Sequence, residues 1–433
     1  MAEFKKNIFR RFYSIFKTRR KLFLIIFSSL LHLLILNNVV LLSSDMIYGD
    51  FSATNLKPLP GYGFMRVPES PLAEEVEGVN RLAADFAQIY FPARNSHSLT
   101  QAYTKETLDP WHRPSRYAPF LHSICSISIC KLNYGYASLS HMIIQLLLFY
   151  ISFVYAFKAL HIEKYMVHGL LLVNFCLFLT PVGLSMLERG QFTLYTSLSY
   201  LWIVLGIINR NILFVILSAL FAYVKFTSFP FILVVLVLWV LNSQNYKELK
   251  RSIFPSLVFG TIVVVFFLVY LESSISFIMG AIRQEAFYNP GGLSLTTLLP
   301  KPFVKALPLI LILLGYLHIK KFKNDFILLI PYLAGCGIIL ITYPTLPPDY
   351  SVPCLFGFIP LVIYWSKHPA IHNHHYTKTI IYLFLAFIII ASLSHSINRL
   401  FDFNKFVLFY MLFSIILIFL PLFYPSKYQE LKN

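Results

Sequence analysis

The feature that most restricts this chain is a series of apolar runs, each about 20 residues long, repeated from one end of the sequence to the other. A run of that length spans hydrocarbon as a helix. Backbone N–H and C=O groups find no water there, so each segment must satisfy its own, and only helices do so singly. Charged residues make up 13% of the chain, where a soluble domain carries about 25%. The runs predict spans at 22–44, 136–158, 167–186, 192–208, 211–224, 229–242, 252–271, 303–319, 325–343, 350–366, 379–397 and 405–424. The expected class is an all-α polytopic membrane protein of about 12 spans.

The formal net charge of +17 would suit a nucleic-acid partner, but its distribution argues against one. Eight basic residues, from Lys5 to Lys21, precede the first span, and others sit in short loops: Lys247, Lys250 and Arg251, then Lys320, Lys321 and Lys323. That is the positive-inside pattern, reinforced by attraction to anionic headgroups. It predicts a cytoplasmic segment 1–21, an uncleaved anchor 22–44, an outside region 45–135 with interfacial helices, a multi-span body 136–424 and a cytoplasmic tail 425–433. The first apolar run is too long for a signal-peptide core. The absence of an Asn-x-Ser/Thr acceptor leans toward a bacterial plasma membrane. The five cysteines fall in or near apolar segments, where cysteine acts as a small hydrophobe, and no disulfide is expected.

About nine of the 19 acidic residues lie in the first outside loop. Glu74-Glu75-Val76-Glu77 reads as a solvated face, whereas Asp85 opens the aromatic stretch Asp85-Phe86-Ala87-Gln88-Ile89-Tyr90-Phe91. Such a stretch predicts an amphipathic helix lying on the membrane surface. A carboxylate there sits where water meets lipid. Asp50, in Tyr48-Gly49-Asp50-Phe51, is its rival. Just before the chain re-enters the membrane, basic and aromatic residues alternate in Trp111-His112-Arg113-Pro114-Ser115-Arg116-Tyr117. Arginine forks bind phosphate oxygens; the competing role of such residues is interfacial anchoring. Polar groups that interrupt apolar segments are costly and mark sites. Glu188-Arg189-Gly190-Gln191 and Lys225 are the two such interruptions on the outer side, with an ion pair and snorkelling as their structural alternatives. The segment around 224–228 separates two short runs, a broken helix or a re-entrant pair. Further outside segments are 272–302, with Asn289, and 343–351, with Asp349. His368, His372, His374 and His375 cluster in a loop on the opposite side without nearby acids, and are read as a polar basic loop. No metal or cofactor site is expected.

Asp85-Phe86 with Tyr90 and Ala93, then Tyr103, then Arg116-Tyr117-Ala118-Pro119-Phe120 resembles the first outside loop of glycosyltransferase family 87, whose members use polyprenyl-phosphate mannose. Gly190-Gln191, Lys225 with Pro230, and Asn289 with Ser294-Leu295 resemble later elements of that family, so the likeness is spread over about residues 80–365. Where the family often has His-Tyr near a late Pro-Ser segment, this chain has Asp349-Tyr350, which leaves that histidine's role without a counterpart. The resemblance implies a GT-C-like helical bundle. It implies transfer of a sugar (mannose, another hexose or arabinofuranose) from a polyprenyl-phosphate donor to a lipid or glycan acceptor on the outer face. Asp85, or alternatively Asp50, would be the general base of an inverting displacement. Arg116, Tyr117, His112, Arg113, Arg189, Gln191, Lys225, Asn289 and Asp349 would contact substrate, with cations stabilising the departing phosphate. The sequence itself holds no Gly-rich phosphate loop for a nucleotide donor. The rival readings are a transporter or flippase for a lipid-linked glycan, and a glycan polymerase or ligase.

Overall fold

The computed structural model describes residues 29–44, 47, 83–95, 99–104, 109, 114–287, 299–322, 325–341, 348–369, 371, 375–393 and 403–419. Asp50, His112, Arg113 and Asn289 lie outside them, as do His372 and His374. Among the described residues the regular structure is helical, without strands. The helices are α1 (Ser29–Ser44), α2 (Ala84–Asn95), α3 (Pro119–Ile127), α4 (Tyr134–Ala159), α5 (Met166–Phe178), α6 (Pro181–Glu188), α7 (Thr193–Ile208), α8 (Ile212–Val224), α9 (Phe229–Leu241), α10 (Tyr246–Val269), α11 (Leu271–Phe287), α12 (Lys301–Lys321), α13 (Ile330–Ile341), α14 (Pro348–Cys354), α15 (Phe358–Trp365), α16 (His375–Ser392) and α17 (Phe403–Phe419).

Two helices form the centre. Every residue of α7 from Thr193 to Ile207 is buried, and so is every residue of α13. A helix apolar on all sides belongs inside a bundle. Helix α7 packs against α4, α8, α9 and α14, and α13 against α17 and α15. The periphery inverts this pattern. Leu257, Val264 and Leu268 of α10 and Leu309, Leu313 and Leu317 of α12 are exposed, an apolar outer surface much larger than a soluble protein displays.

Among the described residues, three helices are long and apolar enough to cross a membrane: 134–159, 246–269 and 302–321. The expected single span at 167–186 is instead α5 and α6, bent by 68°. Leu179 leaves the helix, Thr180 is extended and caps α6 by accepting from the Gly183 N–H, and Pro181 opens the new helix. A residue before proline avoids helical backbone, so the break is local chemistry. Its sharpness needs glycine: a Cβ on Gly183 would lie 2.0 Å from the Cys176 carbonyl oxygen and 2.5 Å from Leu177 Cα. The run 350–366 is also divided, into α14, a 3-10 turn and α15. Residues 271–287, expected outside the spans, continue as α11.

Two expectations about the first outside region need correction. Helix α2 is not an exposed amphipathic helix but is packed inside the chain. Asp85, Phe86, Ala87, Gln88, Ile89 and Tyr90 are all buried, because α3, α4 and the turn after α6 close around it. Cys125 and Cys130, expected as free thiols, form a disulfide. Helix α3 ends at Ser128, and the reversal brings the two Cα atoms to 5.0 Å, within disulfide reach. The remaining cysteines, Cys176, Cys336 and Cys354, are buried and not disulfide-bonded.

Candidate functional site

The site is assembled where the amino end of α2 meets the turn after α6. Ala83, in left-handed backbone (φ 54°), donates its N–H to the Glu188 carbonyl at 2.7 Å, and Asp85 N–H donates to the Arg189 carbonyl at 2.9 Å. The Tyr134 hydroxyl donates to the Ala83 carbonyl at 2.8 Å. Opposite, α6 ends on Gly190, whose φ of +62° is the left-handed conformation that closes helices. A Cβ there would lie 3.1 Å from both Ala83 Cβ and Phe86 Cβ. Gly190 therefore serves twice, turning the chain and admitting α2.

This junction presents a row of side chains. Arg189 Nε donates to Asp85 Oδ2 at 2.8 Å, and its Nη2 reaches Oδ1 at 3.4 Å. Gln191 Nε2 also donates to Oδ2. Gln88, one helical turn after Asp85, donates to Oδ1 at 3.4 Å and accepts the Arg116 N–H at 3.3 Å. Lys225 Nζ donates to Gln191 Oε1 at 2.7 Å. The orientation of the Gln191 amide follows from its neighbours: its NH2 faces a carboxylate and its oxygen faces an ammonium, and the flipped amide would set donor against donor. The row reads Arg189, Asp85, Gln191, Lys225.

Lys225 can stand there because the chain leaves helix at that point. It separates α8 from a 3-10 turn and α9, with extended backbone (φ −141°, ψ 104°). Asp85, Arg116 and Arg189 all lie close enough to act on its ammonium. Asp85 is 5% exposed, Gln191 3% and Lys225 8%, while Arg116 is exposed. The Arg189 side chain, at 18%, is the part of the ion pair nearer the surface. Below lies an aromatic floor: Phe86 stacks on His141, which lies against Phe192, which lies against Tyr117.

Four of the residues singled out in the sequence, Asp85, Arg189, Gln191 and Lys225, are thus in direct contact, and Arg116 joins them through its backbone. Tyr117 is present in a different role. Its ring packs on Phe192, and its carbonyl accepts the Tyr103 hydroxyl at 2.9 Å. Asp349 falls in α14, with its side chain outside the described part. His368 Nε2 lies 3.2 Å from Asp325 Oδ2. Gln88, Tyr134, Ser115 and His122 were not singled out. Ser115 Oγ and His122 Nε2 are 3.0 Å apart, and His122 stands edge-on to Tyr103. Burial pushes the His122 imidazole down to about 4 against an opposing backbone hydrogen bond at Ile89, so this histidine is a neutral buttress at neutral pH. The available signal for Gln88 was its spacing, three residues after an acid on one helix face.

An apolar cavity of about 730 Å³ begins at Phe229 and Pro230, just past Lys225, and continues between α9 and α10 to Pro308 of α12. Comparison with known proteins finds no matching family model, no matching curated protein and no matching solved structure.

Proposed function

We propose that this chain is an integral membrane glycosyltransferase that moves a sugar from a polyprenyl-phosphate donor to a lipid or glycan acceptor. The observation that carries the reading is the contact row Arg189–Asp85–Gln191–Lys225. It sets the Asp85 carboxylate in line with the Arg189 guanidinium and the Lys225 ammonium at the end of apolar helices. Such a transfer needs a base for the acceptor hydroxyl and positive charge for the departing phosphate. Opposite charge beside a carboxylate favours its ionised, basic form. Asp85 is the base; Arg189, Lys225 and Arg116 serve the phosphate. The apolar cavity that starts at Phe229, four positions after Lys225, suits the polyprenyl tail. Among the described residues three helices are long and apolar enough to cross a membrane, or four with the bent pair as one span; the full set of 12 spans is part of the proposal. The family-87 resemblance adds the GT-C arrangement and the outer face of a bacterial plasma membrane. Displacement in one step inverts the anomeric carbon: the acceptor oxygen bonds to it, the phosphate leaves with the bonding pair, and Asp85 takes the proton.

A second reading rests on the same contacts. Both Asp85 oxygens already accept hydrogen bonds, and a buried carboxylate so held can serve only to pin α2 to the turn. In that case the cations belong to a transport path for a lipid-linked glycan. On the first reading Gln88 or Arg189 releases one oxygen when acceptor enters, since catalytic contacts often assemble only with substrate bound. Mass spectrometry of lipids co-purifying with the full chain, followed by incubation with acceptor lipids, separates the readings. Transfer predicts a polyprenyl-phosphate sugar that is consumed as polyprenyl phosphate appears. A polyprenyl-linked glycan that co-purifies and is never cleaved would contradict it.

A further inference from the structure

At the other end of α8 lies a second cavity, of about 720 Å³, between the α7–α8 turn and the α9–α10 turn. Helix α8 has 13 residues, which places it about 20 Å along the helix axis from Lys225. Four cations line it: Arg210, Lys247, Lys250 and Arg251. Among the described residues none of the four has an ion-pair partner. The one acid in the lining, Glu248, is engaged locally: its carboxylate accepts the Gln244 N–H at 2.9 Å while its own N–H donates to the Asn245 side chain at 3.0 Å. That reciprocal cap opens α10, so the positive end of the helix dipole adds to the four side chains.

Arg210 carries a further sign. Its backbone is left-handed, with φ 52°, a conformation that costs a side-chain-bearing residue and is free to glycine. A tight turn alone would be served better by glycine, whereas arginine adds a cation at the cavity rim. Strain held at one residue is a pointer to a site. The rest of the lining is polar at Asn242, Ser243 and Gln244 and apolar at Ile212, Trp239, Phe254 and Pro255, with Phe254 exposed on the outer face of α10. A site that joins cations to an apolar face fits an amphiphile with an anionic head better than a free anion.

We infer that this cavity binds the phosphate headgroup of an anionic membrane phospholipid, in the leaflet opposite the Asp85 site. The inference is independent of the sugar-transfer reading. Phosphate oxygens accept from Arg210 and Arg251, whose planar forks suit them, and the two lysines supply charge. The acyl chains lie along Phe254 and the exposed face of α10.

The test is the melting temperature of the full chain in detergent, titrated with phosphatidylglycerol, phosphatidylcholine or inorganic phosphate. Phosphatidylglycerol should raise it and phosphatidylcholine should not. Arg210→Gly removes the charge and relieves the backbone, so its lipid-free melting temperature should hold while its apparent affinity for phosphatidylglycerol falls about fivefold. Lys247→Gln with Arg251→Gln, on exposed positions, should weaken it further. Lys225→Gln should leave the response intact. An equal shift with phosphatidylcholine, or no change in the response of either cavity variant, would overturn the site. An equal shift with inorganic phosphate would overturn its lipid character. Loss of the response in Lys225→Gln would move the binding to the Asp85 end and overturn the inference too.

Discussion

At the scale of single residues, the candidate site depends on one glycine as much as on its charges. Gly190 combines a left-handed φ of +62° with Cβ approaches of 3.1 Å to Ala83 and Phe86. Gly190→Ala strains the turn that orients both Arg189 and Gln191, and should destabilise the protein by roughly 1–3 kcal/mol. The check is a lower melting temperature in detergent; an unchanged one would mean that the turn does not hold α2. Arg189, Gln191 and Lys225 were legible in the sequence because charged and amide groups that interrupt apolar runs are few and costly to bury without partners, and Asp85 because it opens an aromatic amphipathic stretch. Their pairing was not legible. The Glu188–Arg189 neighbours suggested a local ion pair, yet Arg189 reaches Asp85, 104 positions away, because backbone bonds from Ala83 and Asp85 to the Glu188 and Arg189 carbonyls dock α2 on this turn. The Cys125–Cys130 disulfide was hidden for a similar reason. It depends on the chain reversal at Ser128, which hydropathy does not encode.

Among the elements, most helices were read from apolar runs to within a few residues, because length and hydropathy determine a helix in lipid. The breaks were harder. Hydropathy is continuous across 167–186, and only Thr180-Pro181 marks the 68° bend. Helix α2 was read as interfacial from its alternation of aromatic and small residues; the neighbours that bury it come from distant parts of the chain. The bend between α5 and α6 matters to the site because α6 delivers Arg189. Gly183→Ala has no room, since its new methyl would overlap the Cys176 carbonyl. Overpacking of this kind costs about 1–3 kcal/mol, and more where backbone is the obstacle. Folded yield should fall, whereas Gly260→Ala, which meets nothing within 4 Å, should be tolerated. Equal yields from the two variants would show that the bend relaxes freely.

For the whole molecule, the proposed arrangement makes the chain two-sided. The Asp85 site and the Cys125–Cys130 disulfide lie toward one end of the helices, and the basic cavity at Arg210 and Lys247 lies at the other. Under the proposed topology the Asp85 end faces the oxidising side, where disulfides persist, and the basic cavity faces inside, where cations gather. Every native cysteine is disulfide-bonded or buried, which keeps the labelling background low. A membrane-impermeant thiol reagent applied to intact cells should therefore label Arg116→Cys, and should label Lys247→Cys only after permeabilisation. Labelling of both from outside would contradict the topology. Sugar transfer itself is tested most directly by single-turnover kinetics with a polyprenyl-phosphate-linked sugar in proteoliposomes, comparing Asp85→Asn with the unaltered chain. The change keeps the size of the side chain and removes its basicity. Donor binding should persist while turnover falls by about 10² to 10⁴, and Asp50→Asn should have far less effect. If Asp85→Asn stays folded, binds donor and turns over at the original rate, Asp85 is a structural tie and the glycosyltransferase account is contradicted at its centre.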